Sequence, residues 1–323
     1  MVESFRPFGY TPEGFFNGCQ EVEKIKSGGV WQVSRPKIAI IGAGKVGGAI
    51  AILLKERGYT VSGVASRSFD SALILGSRVG APAYRSPEDA AGGADIVFIT
   101  TPDREIAGVS KHISDLGAVG PGQVVAHTSG AHPSGHLEGV RERGALAVSI
   151  HPLQSFADVE TAIKNLPGSY FALEGDQDAL PAAQQVVADL GGRAFDINAE
   201  DKALYHAAAC IASNYLVSLL HLSTGLYEKF GLSRREAFQA LLPLVQGTIN
   251  NIESVGPVQA LTGPVARGDV STIREHLPAM AGAGGEENRL YHMLGRYTVR
   301  IAMEKGSIDS IQADKLLKQF GKV

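Results

Sequence analysis

The sequence predicts an α/β domain with a doubly wound, mostly parallel sheet, followed by an all-helical domain. Between residues 37 and 197 short β-type runs alternate with helical runs, and after Asn198 only helical runs remain. Strands that alternate with helices imply right-handed crossovers and a largely parallel sheet. The chain of 323 residues is long enough for about two such domains.

The elements are predicted from hydrophobic periodicity and end signals. Strands are expected at residues 37–41, 60–65, 96–101, 123–127, 145–150, 170–174 and 193–197, with helices at 46–57, 69–80 and 103–116 between the first four. The later helices are expected at 200–230, 234–254, 272–281, 286–305 and 307–320. Ser233 and Ser307 are candidate N-caps, and Gly231 and Gly306 candidate C-terminal stops. The chain therefore divides into an N-terminal extension (1–30), an α/β domain (31–197) and a helical domain (198–323).

Composition excludes several classes of function. A net charge of −3 gives no electrostatic reason to expect nucleic acid or an anionic membrane as partner. The two cysteines, Cys19 and Cys210, form neither a disulfide framework nor a metal-ligand spacing, so a reducing cytoplasm is expected. The first 29 residues contain no apolar run typical of a signal peptide. The apolar stretch 203–222 is interrupted by polar side chains, which favours a buried helix over a membrane span.

A glycine-rich turn follows the first predicted strand and opens the first helix. Its residues are Gly42, Ala43, Gly44, Lys45, Val46 and Gly47. Gly42 permits a tight turn, Gly44 lets the backbone approach a pyrophosphate, and Gly47 lets the helix pack closely on the strand. The helix N-terminus adds N–H groups and partial positive charge. The alternative is a glycine-rich turn without a ligand, but the strand–turn–helix context favours a Rossmann dinucleotide site.

The end of the second strand bears on which nicotinamide cofactor binds. An NAD site places an acidic residue there, about 20 residues after the glycines, for the ribose 2′-hydroxyl. This sequence has Ser66, Arg67 and Ser68 instead. Arginine pairs with a 2′-phosphate and serines donate hydrogen bonds to it, so NADP is expected rather than NAD. The alternative for Arg67 is a solvated turn residue.

The residues at the carboxyl ends of the next predicted strands carry hydroxyl and imidazole groups. Thr100, Thr101 and Pro102 could line the nicotinamide side, while Ser129 and His151 follow the two later strands. Ligands bind beyond the carboxyl ends of strands in such sheets, although each exit alone could be a capped turn. No metal is expected. His127, His132 and His136 share no helical face and have no acidic or cysteine partner nearby.

The helical domain opens with candidate catalytic side chains. Lys202 and His206 stand at i and i+4 and project from one helix face, with Asn214 flanking that stripe. Hydride delivered to a C=O or C=N carbon leaves charge on the heteroatom, which a nearby Lys or His can protonate or stabilise. The alternative is a solvated lysine and a satisfied buried histidine at a helix start.

These motifs together resemble a large group of two-domain NADP oxidoreductases. The group includes 6-phosphogluconate and other β-hydroxyacid dehydrogenases, ketopantoate reductase, prephenate dehydrogenase and pyrroline-5-carboxylate reductase. More closely, the sequence resembles a bacterial family of Rossmann-like proteins with a C-terminal helical domain of unknown function. The resemblance covers residues 36–320 and rests on the turn at 42–47 and on segments 101–103, 127–131, 149–156, 202–214 and 261–269.

The resemblance implies an NADP-dependent oxidoreductase acting on a small carboxylate-bearing carbonyl, alcohol or imine. Lys202 matches the acid/base lysine of the hydroxyacid dehydrogenases, whereas His206 stands where those enzymes have asparagine. Ser129, His151 and Asn214 would orient substrate. Arg267 would either bind a substrate carboxylate or form a structural turn with Asp269. The group usually dimerises through its helices, so a homodimer is expected. The alternative function is an NADP-binding sensor without turnover.

Overall fold

The computed structural model describes residues 35–321 of the chain. The predicted N-terminal extension, residues 1–30, lies outside them. Two compact units are present, the first ending at Cys210 and the second beginning at Ile211. The first unit therefore extends past the last predicted strand and includes the start of a helix.

The first unit is built on an eight-stranded sheet. Its strands are β1 (Lys37–Ile41), β2 (Thr60–Ala65), β3 (Ala83–Tyr84), β4 (Ile96–Ile99), β5 (Val124–His127), β6 (Leu146–Pro152), β7 (Tyr170–Gly175) and β8 (Arg193–Asp196). The strand order is β3-β2-β1-β4-β5-β6-β7-β8. All neighbours pair in parallel except β6 and β7. The predicted doubly wound, mostly parallel sheet is confirmed, with β3 as an additional short edge strand.

Helices cover both faces of this sheet. They are α1 (Lys45–Glu56), α2 (Phe69–Val79), α3 (Pro87–Ala91), α4 (Asp103–Asp115), α5 (Val159–Asn165) and α6 (Leu180–Asp189), and α7 (Lys202–Ala212) begins at the end of the unit. Ile38 and Ile40 belong to the core beneath α1, α2 and α6, whereas Ala39 and Ile41 belong to the core beneath α4. Because both faces are covered, the central strands β1 and β4 are nearly continuous apolar runs rather than alternating ones.

The second unit is helical, as predicted. It contains α8 (Asn214–Tyr227), α9 (Arg234–Gln259), α10 (Gly263–Ala266), α11 (Val270–Ala281), α12 (Gly285–Glu304) and α13 (Ser310–Phe320). Its core is formed by residues of α10 to α13 together with Ile308. Ser233 caps α9 in a capping box with Glu236, which confirms that predicted helix start.

Two helix predictions differ from the structure in detail, one within the helix and one at its cap. The helix expected at 200–230 corresponds to the helical stretch Ala199–Phe230, which a distortion at Ser213 (φ −109°, ψ −68°) divides into α7 and α8. Asn214 is therefore the first residue of α8. The N-cap of α13 is Asp309 rather than Ser307, since its carboxylate accepts the Gln312 N–H at 2.7 Å and the Gln312 side chain accepts from Asp309 in return.

The apolar stretch 203–222 is not buried within the described chain, which contradicts the expectation of a buried helix. Leu204 is 75% exposed and Val217 is 66% exposed. Among the described residues, Ala199–Phe230 is the one helical stretch long and apolar enough to cross a membrane on length and composition alone. Exposed apolar helix faces of this size are typical of interaction surfaces.

Candidate functional site

The carboxyl ends of the parallel strands meet at one edge of the sheet. The register pairs Ile41 with Ile99, Ile99 with His127, and His127 with Ser149. The residues that follow β1, β4 and β5 therefore emerge side by side, next to the end of β6. This is the edge at which ligands bind in open α/β sheets.

The glycine turn after β1 has the geometry of a dinucleotide loop. Gly42 has φ +115°, and a Cβ there would lie 2.7 Å from the carbonyl carbon of Thr100. A Cβ on Gly47 would collide with the Gly42 carbonyl oxygen and with Thr100 Oγ1, whereas Gly44 faces open space. The Thr100 hydroxyl donates to the Gly42 carbonyl at 2.7 Å and fixes the turn. The two crowded glycines are thus required by packing, and the open one leaves backbone accessible for a phosphate.

Lys45 begins α1, with Gly44 as its N-cap. Ala43 and Val46 pack partly buried against the first core, so the loop is anchored on its inner side. The Gly44 cap makes no side-chain hydrogen bond. The first turn of α1 therefore has no side-chain acceptor at its N-cap.

Ser66, Arg67 and Ser68 follow β2 at the same edge. Ser68 caps α2, where its hydroxyl accepts the Ser71 N–H at 3.4 Å. Arg67 is exposed and, among the described residues, forms no ion pair or hydrogen bond through its guanidinium. Its donors are thus available to a ligand phosphate.

Thr101 and Pro102 lead from β4 into α4, which begins at Asp103. Thr101 Oγ1 is buried and has no hydrogen-bond partner among the described residues. Buried polar atoms of native proteins are nearly always paired, so an orphaned hydroxyl at a ligand-binding edge indicates a ligand or water partner.

Ser129 connects this turn to the β5 exit. Its hydroxyl donates to Asp103 Oδ2 at 2.7 Å and accepts the N–H groups of Ala131 and His132 at 3.3 and 3.1 Å. Its N–H donates to His127 Nδ1 at 3.1 Å, and His127 Nε2 lies 3.2 Å from the Pro133 carbonyl oxygen. A neutral His127 with its proton on Nε2 satisfies both contacts. Ser129 is therefore a buried residue whose hydrogen bonds connect the loop after β5 to the start of α4.

Lys202, the first residue of α7, is completely buried below this loop, with an exposed fraction of 0%. Its ammonium donates to Ser149 Oγ at 2.6 Å and to the Ser129 carbonyl at 3.2 Å. Ser149 in turn donates to the same carbonyl at 3.3 Å. Burial lowers the pKa of Lys202 to about 8, against the opposing influence of Glu174 and Asp103. The ammonium is thus bonded to Ser149 on β6 and to the loop after β5.

Imidazole and phenol groups lie on the other side of Gly130. His151 Nδ1 is 2.8 Å from the Tyr205 hydroxyl, and the rings of His151 and His206 are 5.9 Å apart. A Cβ on Gly130 would lie 2.5 Å from His206 Nδ1 and 2.7 Å from His151 Nε2. Only glycine therefore allows both rings to approach the loop so closely. His206 Nδ1 is buried without a partner among the described residues, and Nε2 lies 3.6 Å from Cys210 Sγ.

Burial keeps His151, Tyr205 and His127 neutral at pH 7. Burial, with smaller effects of Lys202 and His206, lowers the pKa of His151 to about 4, and burial raises the pKa of Tyr205 to about 12. Burial and Lys202 lower the pKa of His127 to about 3. At neutral pH the Tyr205 hydroxyl can donate to His151 Nδ1, and this assignment leaves the ring proton on Nε2. The cluster then holds one imidazole donor and one open imidazole nitrogen.

The structure brings most predicted site residues together, and two lie in the second unit. Ser129, His151, Lys202 and His206 converge within the first unit, as described. Asn214 is the first residue of α8, and Arg267 directly follows α10. Asp269 caps α11 by accepting from Thr272 and Ser271, and these bonds lower its pKa. The Arg267–Asp269 segment therefore includes a helix cap, and a carboxylate-binding role for Arg267 stays a prediction.

Sequence reasoning missed four polar residues of the first unit. Asp103, Ser149 and Tyr205 form the bonds given above, and Glu174 on β7 accepts the Ser134 hydroxyl at 2.8 Å. Tyr205 had a signal, because it stands three residues after Lys202 and so shares its helix face. Among the described residues no group of three or more His, Cys, Asp or Glu side chains could hold a metal ion. His132 and His136 instead stack on each other, with ring centroids 4.2 Å apart.

Two family models match the chain. Residues 22–152 match a Rossmann-like domain, and residues 169–298 match a domain of unknown function, DUF2520. No curated protein sequence matches the chain.

Solved structures with the same fold cover most of the chain. A protein from Thermotoga maritima is 29% identical over 83% of this chain and 99% of its own, with a TM-score of 0.67. A Bacteroides fragilis protein assigned to the NADP oxidoreductases is 24% identical, with the same coverage and TM-score. A reductive aminase from Aspergillus terreus, in complex with NADPH4, cyclohexanone and allyl amine, is 19% identical over 88% and 99% of the two chains, with a TM-score of 0.59.

An imine reductase from Pseudomonas and a pyrroline-5-carboxylate reductase from Coxiella burnetii share the fold at 19% and 15% identity. The resemblance inferred from the sequence motifs is therefore confirmed. Residues 22–152 are similar to a Rossmann-like domain, and residues 169–298 are similar to the domain of unknown function DUF2520.

Proposed function

We propose that the protein is an NADP-dependent oxidoreductase that transfers hydride between the nicotinamide and a small carboxylate-bearing carbonyl, alcohol or imine. One observation carries the proposal. Among the described residues of the first unit, the only buried side-chain polar atoms without a partner are Thr101 Oγ1 and His206 Nδ1. Thr101 follows β4, which is the strand next to β1 and its glycine turn. His206 faces the loop after β5. Unpaired buried atoms at both places fit a cofactor and a substrate.

The residues of the sheet edge fit a dinucleotide. The N–H groups of the turn and of the first turn of α1 would hold the pyrophosphate, and Ser66, Arg67 and Ser68 would hold a 2′-phosphate. Thr101 and Pro102 would contact the nicotinamide side. When bound, NADPH supplies the hydride.

The side chains of His151, His206 and Tyr205 would bind or transfer the proton that accompanies hydride transfer. The Nε2 proton of His151, which the Tyr205 hydroxyl fixes on that nitrogen, is placed to stabilise charge that develops on a substrate heteroatom. His206 would accept a hydrogen bond or a proton at its open Nδ1. Lys202, which is buried, would supply positive charge and proton equilibration through Ser149 rather than by direct contact. Asn214 and Arg267 remain proposed substrate contacts.

The proposal is tested by NADPH binding, followed by turnover. We expect nicotinamide fluorescence to change on NADPH binding, and NADPH to be consumed with at least one member of a panel of keto acids and cyclic imines. A Lys202→Ala/His206→Ala double variant should lose turnover. Turnover that is unchanged in this variant would remove the catalytic assignment. Binding without turnover on every candidate would favour an NADP-binding sensor, and equal affinity for NADH and NADPH would exclude the role of Arg67.

We further propose a homodimer through the helical domain. Val217 on α8 and Leu244 on α9 are 66% and 67% exposed, and further apolar side chains are exposed on α12. A second copy of the chain, related by two-fold symmetry, would bury these exposed apolar side chains. Light scattering coupled to gel filtration should give a mass near twice the 34.0 kDa of the chain. A monomeric mass at micromolar concentration would contradict this.

A further inference from the structure

A second arginine stands beside Arg67 at the edge of the sheet. The register pairs Ala65, the last residue of β2, with Tyr84, the last residue of β3. Ser66 and Arg85, which come next in each strand, therefore emerge together at the carboxyl edge. β3 is only two residues long and was not predicted, so this neighbour of β2 could not be inferred from the sequence.

Aromatic stacking holds the Arg85 side chain at the start of α2. Its guanidinium carbon lies 4.1 Å from the centroid of the Phe69 ring. Phe69 is the first residue of α2, directly after the Ser68 cap, and it packs partly buried against the first core. The guanidinium is thus fixed beside the positive end of a helix.

The donors of Arg85 have no protein acceptor. Among the described residues, no carboxylate lies within ion-pair distance of its guanidinium, and no side-chain or backbone oxygen accepts from it. The other arginine of this region, Arg78 at the end of α2, is paired with Glu160. An arginine that is immobilised by stacking, with all its N–H donors available, is suited to bind an oxyanion.

We propose that Arg85 is a second ligand of the cofactor's 2′-phosphate and, with Arg67, sets the preference for NADPH over NADH. The inference rests on the proposed function, since it assigns a residue to the same nucleotide site. Arg85 would bind the 2′-phosphate from the β3 side, with Arg67 and the two serines on the β2 side. The stack on Phe69 lowers the entropy that the side chain loses on binding.

The test compares two nucleotides that differ only by the 2′-phosphate. We expect Arg85→Ala to weaken NADPH binding by about tenfold or more and NADH binding by less than about twofold, because hydrogen bonds to a charged group are lost only with NADPH. 2′,5′-ADP should lose affinity in parallel with NADPH, and 5′-AMP should not. Phe69→Leu, which retains the arginine and the apolar packing, should weaken NADPH binding by only about two- to fivefold.

Arg78→Ala is the matched control, because it removes an arginine of the neighbouring helix α2 that already has a carboxylate partner, Glu160. It should bind both nucleotides as the unaltered protein does. Circular dichroism should show each variant folded. A preference for NADPH that Arg85→Ala leaves unchanged would overturn this inference and leave the proposed function standing. An equal loss of affinity for NADPH and NADH would assign Arg85 to the adenosine instead and would also overturn the inference. Failure of the unaltered protein to bind either nucleotide would overturn both proposals.

Discussion

Replacing Lys202 with methionine should change how stability depends on pH. The ammonium is fully buried, and burial lowers its pKa from 10.5 to about 8 in the folded protein. Because the folded pKa is the lower one, the unfolded chain binds more protons between these values. Lys202 therefore destabilises the fold below about pH 8, and this penalty is relieved as the pH rises towards 10.5.

The size of the effect follows from the two pKa values. A difference of about 2.5 units corresponds to about 3 kcal/mol at neutral pH, and about 2 kcal/mol of it is relieved between about pH 7.5 and pH 9.5. Above about pH 10 the buried tyrosines act in the opposite direction, since burial raises the pKa of Tyr205 and the unfolded chain then loses tyrosine protons first. The window below pH 9.5 avoids this overlap.

Urea unfolding followed by circular dichroism at several pH values measures the difference between the two proteins. We expect the free energy of unfolding of the unaltered protein, relative to Lys202→Met, to rise by about 2 kcal/mol across the window. Stability at a single pH is less informative, because the variant also loses the bonds to Ser149 and Ser129. Lys111→Met, which removes an exposed lysine paired with Asp115, should show no such rise. A Lys202→Met variant whose pH dependence parallels that of the unaltered protein would refute the assignment of a buried ammonium with a lowered pKa.

The remaining predictions concern the loops of the first unit. Gly130→Ala should lower turnover at least about tenfold, because its Cβ would displace the two imidazoles it faces, whereas Gly135→Ala, with open space around its Cβ, should be active. Gly47→Ala should abolish most NADPH binding measured by fluorescence, since its Cβ would collide with the glycine turn, while Gly108→Ala, which meets nothing within 4 Å, should bind normally. Ser134→Ala leaves the buried Glu174 carboxylate short of a donor and should cost about 1–3 kcal/mol in urea unfolding, and an unchanged midpoint would contradict that.

The fold was accessible to sequence reasoning because its signals are local. Each central strand is a continuous apolar run, and the glycine turn after β1 needs specific residues within a six-residue segment. Capping is similarly local, as the Ser233–Glu236 box shows. The edge strand β3 escaped because two residues carry no periodicity. The break at Ser213 escaped because apolar residues continue on both sides of it.

Only part of the candidate site could be predicted from the sequence, because its remaining contacts depend on how α7 packs on the sheet. Lys202 and His206 were correctly placed on one helix face by their spacing, but nothing in the spacing says what that face meets. Lys202 contacts Ser149, 53 residues earlier, and the Ser129 carbonyl, 73 residues earlier. Such pairings depend on strand register and helix docking together. Burial of the lysine, which directs its action through Ser149, could therefore not be read from the sequence.

The cost of burying Lys202 bears on why the residue is there. A methionine of similar length could fill the same volume without the desolvation penalty of about 3 kcal/mol, so packing alone does not account for a lysine. The ammonium lies beneath the loop whose other side faces His151 and His206, and its charge contributes to the lowered pKa of His151. A neutral His151 can donate from Nε2 while it accepts from Tyr205, whereas a protonated ring could not accept. The ammonium thus adds to the larger effect of burial, which already keeps His151 neutral at pH 7. A buried lysine with a lowered pKa beside a second titratable group with a lowered pKa is the pattern expected of a functional site rather than of a core.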